Sequence, residues 1–359
     1  MTLRVSLITD GDPDQISGGY LYQRRIATLA PRHGAEIRFV SLPPRRYPFG
    51  LFDARRSIEE ALEADVVVVD SLASNTLGPW LARGLRRPLI GSVHQRLGGT
   101  EGSPVGRRVR AMADRLAWRR CDHLIVPSCQ LARDLRNAGI ARPQLYVVTP
   151  GRDIPEPKPR RPPDRDLRDG RRAAIVCVAN WVRRKGVVDV ARAVAALPPT
   201  VATLHLVGAE QLDAGYHREV LDELDTPALR GRVVRHGAVA PPVVAGLLAR
   251  ADIFTLPSRD EPYGMVYTEA MCAGLPIVGW RAGNLPHLID SGVEGILVPT
   301  GNVGALTAAY LRLATDPAQR HEMGAAAAQR AAMLPTWDET TIRFVDICHV
   351  VASRTRSPG

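Results

Sequence analysis

Short runs of valine, isoleucine and leucine, each closed by turn residues, constrain this chain more than any other feature. LRVSLIT, EIRFVSL, DVVVVDS, PLIGSV, HLIVPS and LYVVTP come first, with helical patterns between them such as Tyr20–Ala30 and Val105–Trp118. Runs that are apolar on both faces belong to buried parallel strands, and parallel neighbours need a helical crossover. The chain then passes through PGRDIPEPKPRRPPDRDLRDGRR (Pro150–Arg172), rich in proline and charge and poor in apolar side chains, which reads as a domain boundary. Beyond it the alternation resumes with AAIVCVAN, TLHLVG, RVVRHG, DIFTLPS, LPIVGW and GILVP. The pattern predicts an α/β protein of two Rossmann-like doubly wound domains, residues 1–150 and 173–333, joined by a linker at 151–172. In such a pair a ligand cleft is expected at the C-terminal ends of both sets of strands.

Composition narrows the function classes. The chain has no apolar run long enough to span a membrane, and its start, MTLRVSLITDGDPD, lacks the basic-then-apolar order of a signal peptide. Five cysteines without CxxC spacing suit reduced thiols in a cytoplasmic protein, with neither a zinc site nor a disulfide framework. The net charge of +10 is one-sided: residues 1–150 hold 22 arginines against 14 acids, while residues 173–359 are close to balance. Such a field can steer nucleic acid, a lipid headgroup surface or an anionic small molecule, although arginine-rich codon usage gives the same excess. Aromatic residues are scattered without a stacking platform, which disfavours nucleic acid. SPVGRRVRAMADRLAWRR predicts a helix with Val105, Val109, Met112 and Leu116 on one face and Arg107, Arg108, Arg110 and Arg115 around the rest. The favoured reading packs that stripe on the core and solvates the basic face; the other rests the helix on an anionic membrane surface.

One segment carries most of the chemistry, LPSRDEPYGMVYTEAMCAGLPIVGWRAGNLPHLIDSGVEGILVP. A strand ends at Ser258, a loop carries Glu261, and a helix is expected to start near Gly264. The backbone N–H groups of Gly264, Met265 and Val266 would then be unpaired helix-start donors, suited to phosphate or sugar oxygens. Glu269 lies more than one turn into that helix. Carboxylates on either side of an anion-binding turn suit a ligand with hydroxyls at both ends and phosphates between, such as a nucleotide sugar. The bland alternative is an exposed helix residue at Glu269 and a helix-flanking acid at Glu261.

This stretch resembles the signature of family 4 glycosyltransferases, retaining enzymes of the GT-B fold. The likeness rests on Glu261-Pro262-Tyr263-Gly264 through Glu269-Ala270-Met271 and then Ala273-Gly274-Leu275-Pro276. It implies a hexosyltransferase in which Glu261 contacts the donor sugar and Glu269 the ribose hydroxyls. SGGYLYQRRIATLA resembles the family's glycine-rich first turn, where Gly18 and Gly19 let backbone approach the donor phosphate and acceptor. RPLIGSVHQ resembles its strand ending in a cleft histidine, here His94, and PTWDETTIRFVDICHV its last helix, at 334–352, which crosses back to the first domain. The family commonly carries Gly-Arg and then Lys-Gly five residues after that Arg, both side chains holding the donor diphosphate. This chain keeps Lys185-Gly186 but has Ala179-Asn180 at the first position, leaving Arg183 or Arg184 to supply the second charge, or Asn180 to give the donor only a neutral hydrogen bond. Lys185 is one of only two lysines in the chain, and a compact ammonium enters a gap between phosphates that a planar guanidinium does not.

The resemblance implies retention, with Lys185, a neighbouring arginine and the helix-start amides stabilising the departing nucleotide diphosphate. Glu261 and His94 would orient the sugar. No metal and no cofactor are expected beyond a UDP- or GDP-sugar as co-substrate; the acid pairs Asp12–Asp14 and Asp164–Asp166 lie in a loop and the linker. The acceptor, an anionic small molecule or a lipid-linked one, is expected on the basic first domain, with peripheral contact at the inner face of the membrane as a further expectation. Rival readings are a GT-B-fold sugar-nucleotide epimerase and a catalytically inactive nucleotide-sugar-binding protein.

Overall fold

The structure is a computed structural model and describes residues 2–12, 18–42, 58–74, 76–77, 89–99, 103–140, 143–153 and 166–356. Most of the expected linker, together with Asp14 and Asp164, lies outside the described residues. The chain divides into two compact units, the first comprising residues 1–151 and 335–359, the second residues 152–334.

The first unit holds one six-stranded sheet of β1 (Leu3–Asp10), β2 (Ala35–Leu42), β3 (Val66–Asp70), β4 (Leu89–Ser92), β5 (His123–Val126) and β6 (Gln144–Val147). All neighbours are parallel, in the order β2-β1-β3-β4-β5-β6. VVVVD explains the centre: every residue of β3 is buried, and β-branched side chains fit a strand covered on both faces. The helices with described bounds are α1 (Gly18–Leu29), α2 (Pro104–Trp118) and α3 (Cys129–Asn137). The strand order reverses between β1 and β3, and the C-terminal ends around that point are where a doubly wound sheet receives a ligand.

The orientation of α2 overturns the reading that its apolar stripe packs on the core. Val105, Val109, Met112 and Leu116 are 69%, 62%, 65% and 54% exposed. The buried side is Asp114, Ala117 and Trp118. The physical reason is a set of long-range contacts: the Asp114 carboxylate accepts Ser74 Oγ at 2.6 Å and the Gly98 N–H at 2.7 Å. Trp118 packs so closely on β4 that a Cβ at Gly91 would lie 2.7 Å from its ring. Burying a carboxylate is tolerated when its hydrogen bonds are made, so these contacts decide which face turns inward.

The second unit repeats the architecture with β7 (Ala173–Val178), β8 (Ala202–Val207), β9 (Val233–Gly237), β10 (Ile253–Thr255), β11 (Ile277–Trp280) and β12 (Gly295–Val298). Its order, β12-β11-β10-β7-β8-β9, is again all parallel and reverses between β7 and β10. Around it lie α4 (Val187–Ala195), α5 (Ala214–Leu224), α6 (Pro241–Leu248), α7 (Met265–Cys272), α8 (Leu285–Leu288), α9 (Val303–Thr315) and α10 (Pro317–Ala332). The core joins both faces of this sheet, with Val187, Val190 and Val194 of α4 packed inward at helical spacing.

The last helix, α11 (Trp337–Arg356), belongs to the first unit and packs on α1. Trp337 lies 6.2 Å from the Tyr22 ring, and Thr340 Oγ1 donates to the Thr149 carbonyl at 2.9 Å. A Cβ at Gly151 would fall 2.4 Å from Trp337 Cα, so only glycine lets the chain pass there.

Candidate functional site

The two strand ends that flank the reversal point of the second sheet, β7 and β10, carry the residues that converge. After β7 the chain makes one 3-10 turn, Arg183–Lys185, closed by Gly186 at φ 71° before α4 begins. A Cβ at Gly186 would stand 2.6 Å from the Pro257 carbonyl, so both the left-handed conformation and the close approach require glycine. The turn is laced to the loop after β10: the Arg259 N–H donates to the Arg184 carbonyl at 2.8 Å, and Ser258 Oγ to the same oxygen at 3.2 Å.

Glu261 is the centre of this loop pair. It is 8% exposed, and three donors converge on its Oε1: Lys185 Nζ, Arg184 Nη1 at 3.0 Å and Ser258 Oγ at 2.9 Å. Burial pushes its pKa up, but the Lys185 and Arg184 charges and the hydrogen bonds from Lys185 and Ser258 outweigh burial and hold it below its ordinary value. The backbone behind it is clamped as well. The Asn284 N–H donates to the Glu261 carbonyl at 2.9 Å, Asn284 Nδ2 donates to the Tyr263 carbonyl at 3.1 Å, and Gly283 has φ 57°.

Three residues beyond Glu261, Gly264 at φ 88° opens α7, and no side chain caps the helix start. A Cβ on Gly264 would strike the Tyr267 ring at 2.4 Å. The uncapped N–H groups of Met265 and Val266 therefore stand four and five residues along the chain from the carboxylate. Glu269 is half-buried, one turn further into α7.

The structure separates the two candidate arginines. Arg184 joins Lys185 on Glu261 and also donates to the Asp260 carbonyl at 3.1 Å. Arg183 turns away to α5, pairing with Glu219 at 2.6 Å and lying 5.2 Å from the Tyr216 ring. Asn180 is a fastener between loops: its Oδ1 accepts the Ala209 N–H at 3.0 Å, while the Trp181 N–H donates to the Ala209 carbonyl at 2.8 Å.

In the first unit, His94, Gly18 and Gly19 lie near the C-terminal ends of β1, β3 and β4. The His94 ring nitrogen Nε2 is 2.9 Å from Ser92 Oγ, its main-chain N–H donates to Ser71 Oγ at 3.1 Å, and the Tyr22 ring meets it edge-on at 4.9 Å. A Cβ on Gly19 would lie 3.9 Å from His94 Cβ, an ordinary contact, so protein neighbours do not demand glycine at that position. Burial lowers the His94 pKa below the usual histidine value, against the opposing pull of Asp70. Asp70 went unnoticed in the sequence. It ends β3 with no exposed surface and accepts from Thr9 Oγ1 at 2.9 Å and Ser71 Oγ at 3.2 Å. An acid closing a run of four valines, at a strand end beside a reversal of sheet order, is the signal that marked it. Asn284 is hidden in the sequence for another reason: its partners, the Glu261 and Tyr263 carbonyls, lie more than twenty residues before it.

Among the described residues there is no group of three His, Cys, Asp or Glu that could hold a metal ion, and no helix long and apolar enough to cross a membrane.

Residues 172–316 match the family described as Glycosyl transferases group 1, and residues 1–151 match the Glycosyl transferase 4-like domain. A D-inositol 3-phosphate glycosyltransferase of Corynebacterium jeikeium is 30% identical over 295 residues, covering 76% of this chain and 70% of that protein. Its counterpart from Nocardiopsis dassonvillei is 29% identical over 293 residues, covering 76% and 67%. Among solved structures, sucrose-phosphate synthase from Thermosynechococcus elongatus matches at 20% identity with a TM-score of 0.82, over 98% of this chain and 100% of that one. Anabaena HepE in complex with UDP and glucose matches at 20% identity with a TM-score of 0.79, over 97% and 100%.

Proposed function

The chain belongs to glycosyltransferase family 4, with the GT-B fold of two Rossmann-like domains, and from that premise we propose that it transfers a sugar from a nucleotide-diphosphate sugar with retention of configuration. The carrying observation is the convergence of Lys185, Arg184 and Ser258 on one oxygen of Glu261, next to the uncapped start of α7. Two cations and a row of amides are a site for a diphosphate, and a buried carboxylate with its second oxygen left for a hydroxyl suits the sugar beside it. HepE, a structural neighbour, binds UDP-glucose, which supports a UDP-sugar, with a GDP-sugar as the alternative donor.

When the diphosphate enters, it competes with Glu261 for Lys185 and Arg184. The carboxylate that holds both cations in place is thereby released toward the sugar. As the bond to the nucleotide breaks, the same two cations and the N–H groups of Met265 and Val266 stabilise the negative charge that develops on the leaving phosphate. Glu269 accepts from the ribose hydroxyls, and Asn180 holds the loop that carries Arg184 and Lys185. In the first unit burial keeps His94 neutral, the form that can both donate and accept a hydrogen bond with a hydroxyl. Attack comes from the face that the leaving group departs: the acceptor hydroxyl forms the new glycosidic bond as the bond to the nucleotide breaks, and its proton passes to the departing phosphate oxygen. The acceptor is anionic, in keeping with 22 arginines in the first 150 residues and with curated relatives that act on D-inositol 3-phosphate.

The test is a thermal-shift panel of UDP-, GDP-, ADP- and dTDP-sugars followed by nucleotide-diphosphate release with cell extract as acceptor source. A donor at a hundred times its dissociation constant stabilises by about 2.7 kcal/mol. A flat panel overturns the donor site, and donor binding without nucleotide release overturns transfer.

A further inference from the structure

We propose that α2 is a membrane-docking helix that lies flat on an anionic phospholipid surface, its apolar row in the headgroup boundary and its arginines on the lipid phosphates. Scattered exposed apolar side chains need no explanation, and no other described helix exposes more than two large ones. On α2 they form a row. Val105, Val109, Met112 and Leu116 follow the i, i+4, i+7, i+11 spacing that places residues along one line of a helix. Asp114, Ala117 and Trp118 anchor the opposite side, so the row points directly away from the sheet. Fifteen residues give a rod about 22 Å long, and the row runs nearly its whole length.

Charge selects the partner. Between Ser103 and Arg120 there are six arginines and one acid, and that acid, Asp114, is buried on its hydrogen bonds to Ser74 and Gly98. Arg107, Arg108, Arg119 and Arg120 are exposed. Arg108 stands one helical row beside the apolar line, and Arg119 and Arg120 follow at its C-terminal end. A second copy docking through this face would bring the arginine rows of both copies together, which is repulsive. An anionic bilayer complements both features at once: hydrocarbon for the row, phosphate for its flanks. The inference rests on this helix alone and does not depend on the identity of the donor.

The experiment is co-sedimentation of the full chain with vesicles of phosphatidylcholine alone or with about one third phosphatidylglycerol. Wild type should pellet with the anionic vesicles and stay in solution with the neutral ones. Arg108→Gln and Arg119→Gln should each weaken binding about fivefold, and added salt should do the same. Val109→Asp with Met112→Asp should abolish it, while Leu212→Asp, at an exposed site in the second unit, should leave it intact. These side chains are exposed, so the melting temperature should hold in every variant and a loss of binding is not a loss of fold. Failure of wild type to bind anionic vesicles, equal binding to neutral ones, or full binding by the double aspartate variant each overturn the proposal. So does a wild-type dimer in light scattering that the double variant dissolves, since the row then belongs to a second copy.

Discussion

Replacing Glu261 with glutamine should loosen the second unit and tighten its hold on a nucleotide diphosphate, two effects of opposite sign from one change. The carboxylate is buried and is the shared acceptor of Lys185 and Arg184, whose side chains are 15% and 28% exposed. Breaking a fully buried ion pair by removing one partner costs about 3–5 kcal/mol. Here Arg184 keeps the Asp260 carbonyl, both cations retain some water, and the glutamine can still accept from Ser258, so about 2 kcal/mol is the expected loss. For a unit of this size that lowers the melting temperature by about 4–8 °C. Because the folded carboxylate titrates below its ordinary value, its contribution is complete above the usual carboxylate range. It disappears as pH falls through the lower folded value. The gap between wild type and Glu261→Gln should therefore be full at neutral pH and close in acid. Two cations without a carboxylate should also bind UDP more tightly, giving the variant a larger UDP-induced shift than wild type, while sugar transfer falls. Scanning calorimetry from acid to neutral pH, with and without UDP, reads all of this. Equal stability of the two proteins at neutral pH, or a smaller UDP shift in the variant, would refute the reasoning.

Arg184→Ala should lower donor affinity about tenfold or more by removing a charge-assisted contact, whereas Arg183→Ala, paired with Glu219 on α5, should change it less than about twofold; isothermal titration with UDP distinguishes them. Gly186→Ala forces a Cβ into the Pro257 carbonyl at a left-handed φ, so it should lower the melting temperature and displace Lys185, weakening UDP binding in the same titration. For His94 the folded pKa is lowered, so its contribution is present above the ordinary histidine pKa and is lost as pH falls toward the folded value. Urea unfolding should show the first unit weakening in that window, and His94→Gln should flatten the slope.

The strands of the described residues were legible from their runs of Val, Ile and Leu, and the buried ones, such as VVVVD and AAIVCV, need no partner to be recognised. The starts of α4 and α7 were legible too, since Gly186 and Gly264 mark left-handed turns before a helix. What stayed hidden depended on contacts distant in sequence. Periodicity shows that Val105, Val109, Met112 and Leu116 share a face, but not which way that face turns; Ser74, Gly98 and Gly91 decide it. The choice between Arg183 and Arg184 likewise depends on where Glu219 and Glu261 stand, 36 and 77 residues away along the chain. Asn180 could not be read as a loop fastener until β8 placed Ala209 beside it.

The return of α11 to the first unit has a consequence for biogenesis. That helix leaves the ribosome only after all of the second unit, yet Tyr22, Thr149 and Gly151 pack against its first turns. The first unit is therefore made early and finished late, its flank against α1 bare throughout translation of the second. The second unit is continuous in sequence and can close by itself. The part synthesised last in the middle of the chain is thus free to mature first, and the nascent first unit is the stage at which a chaperone would find exposed apolar surface.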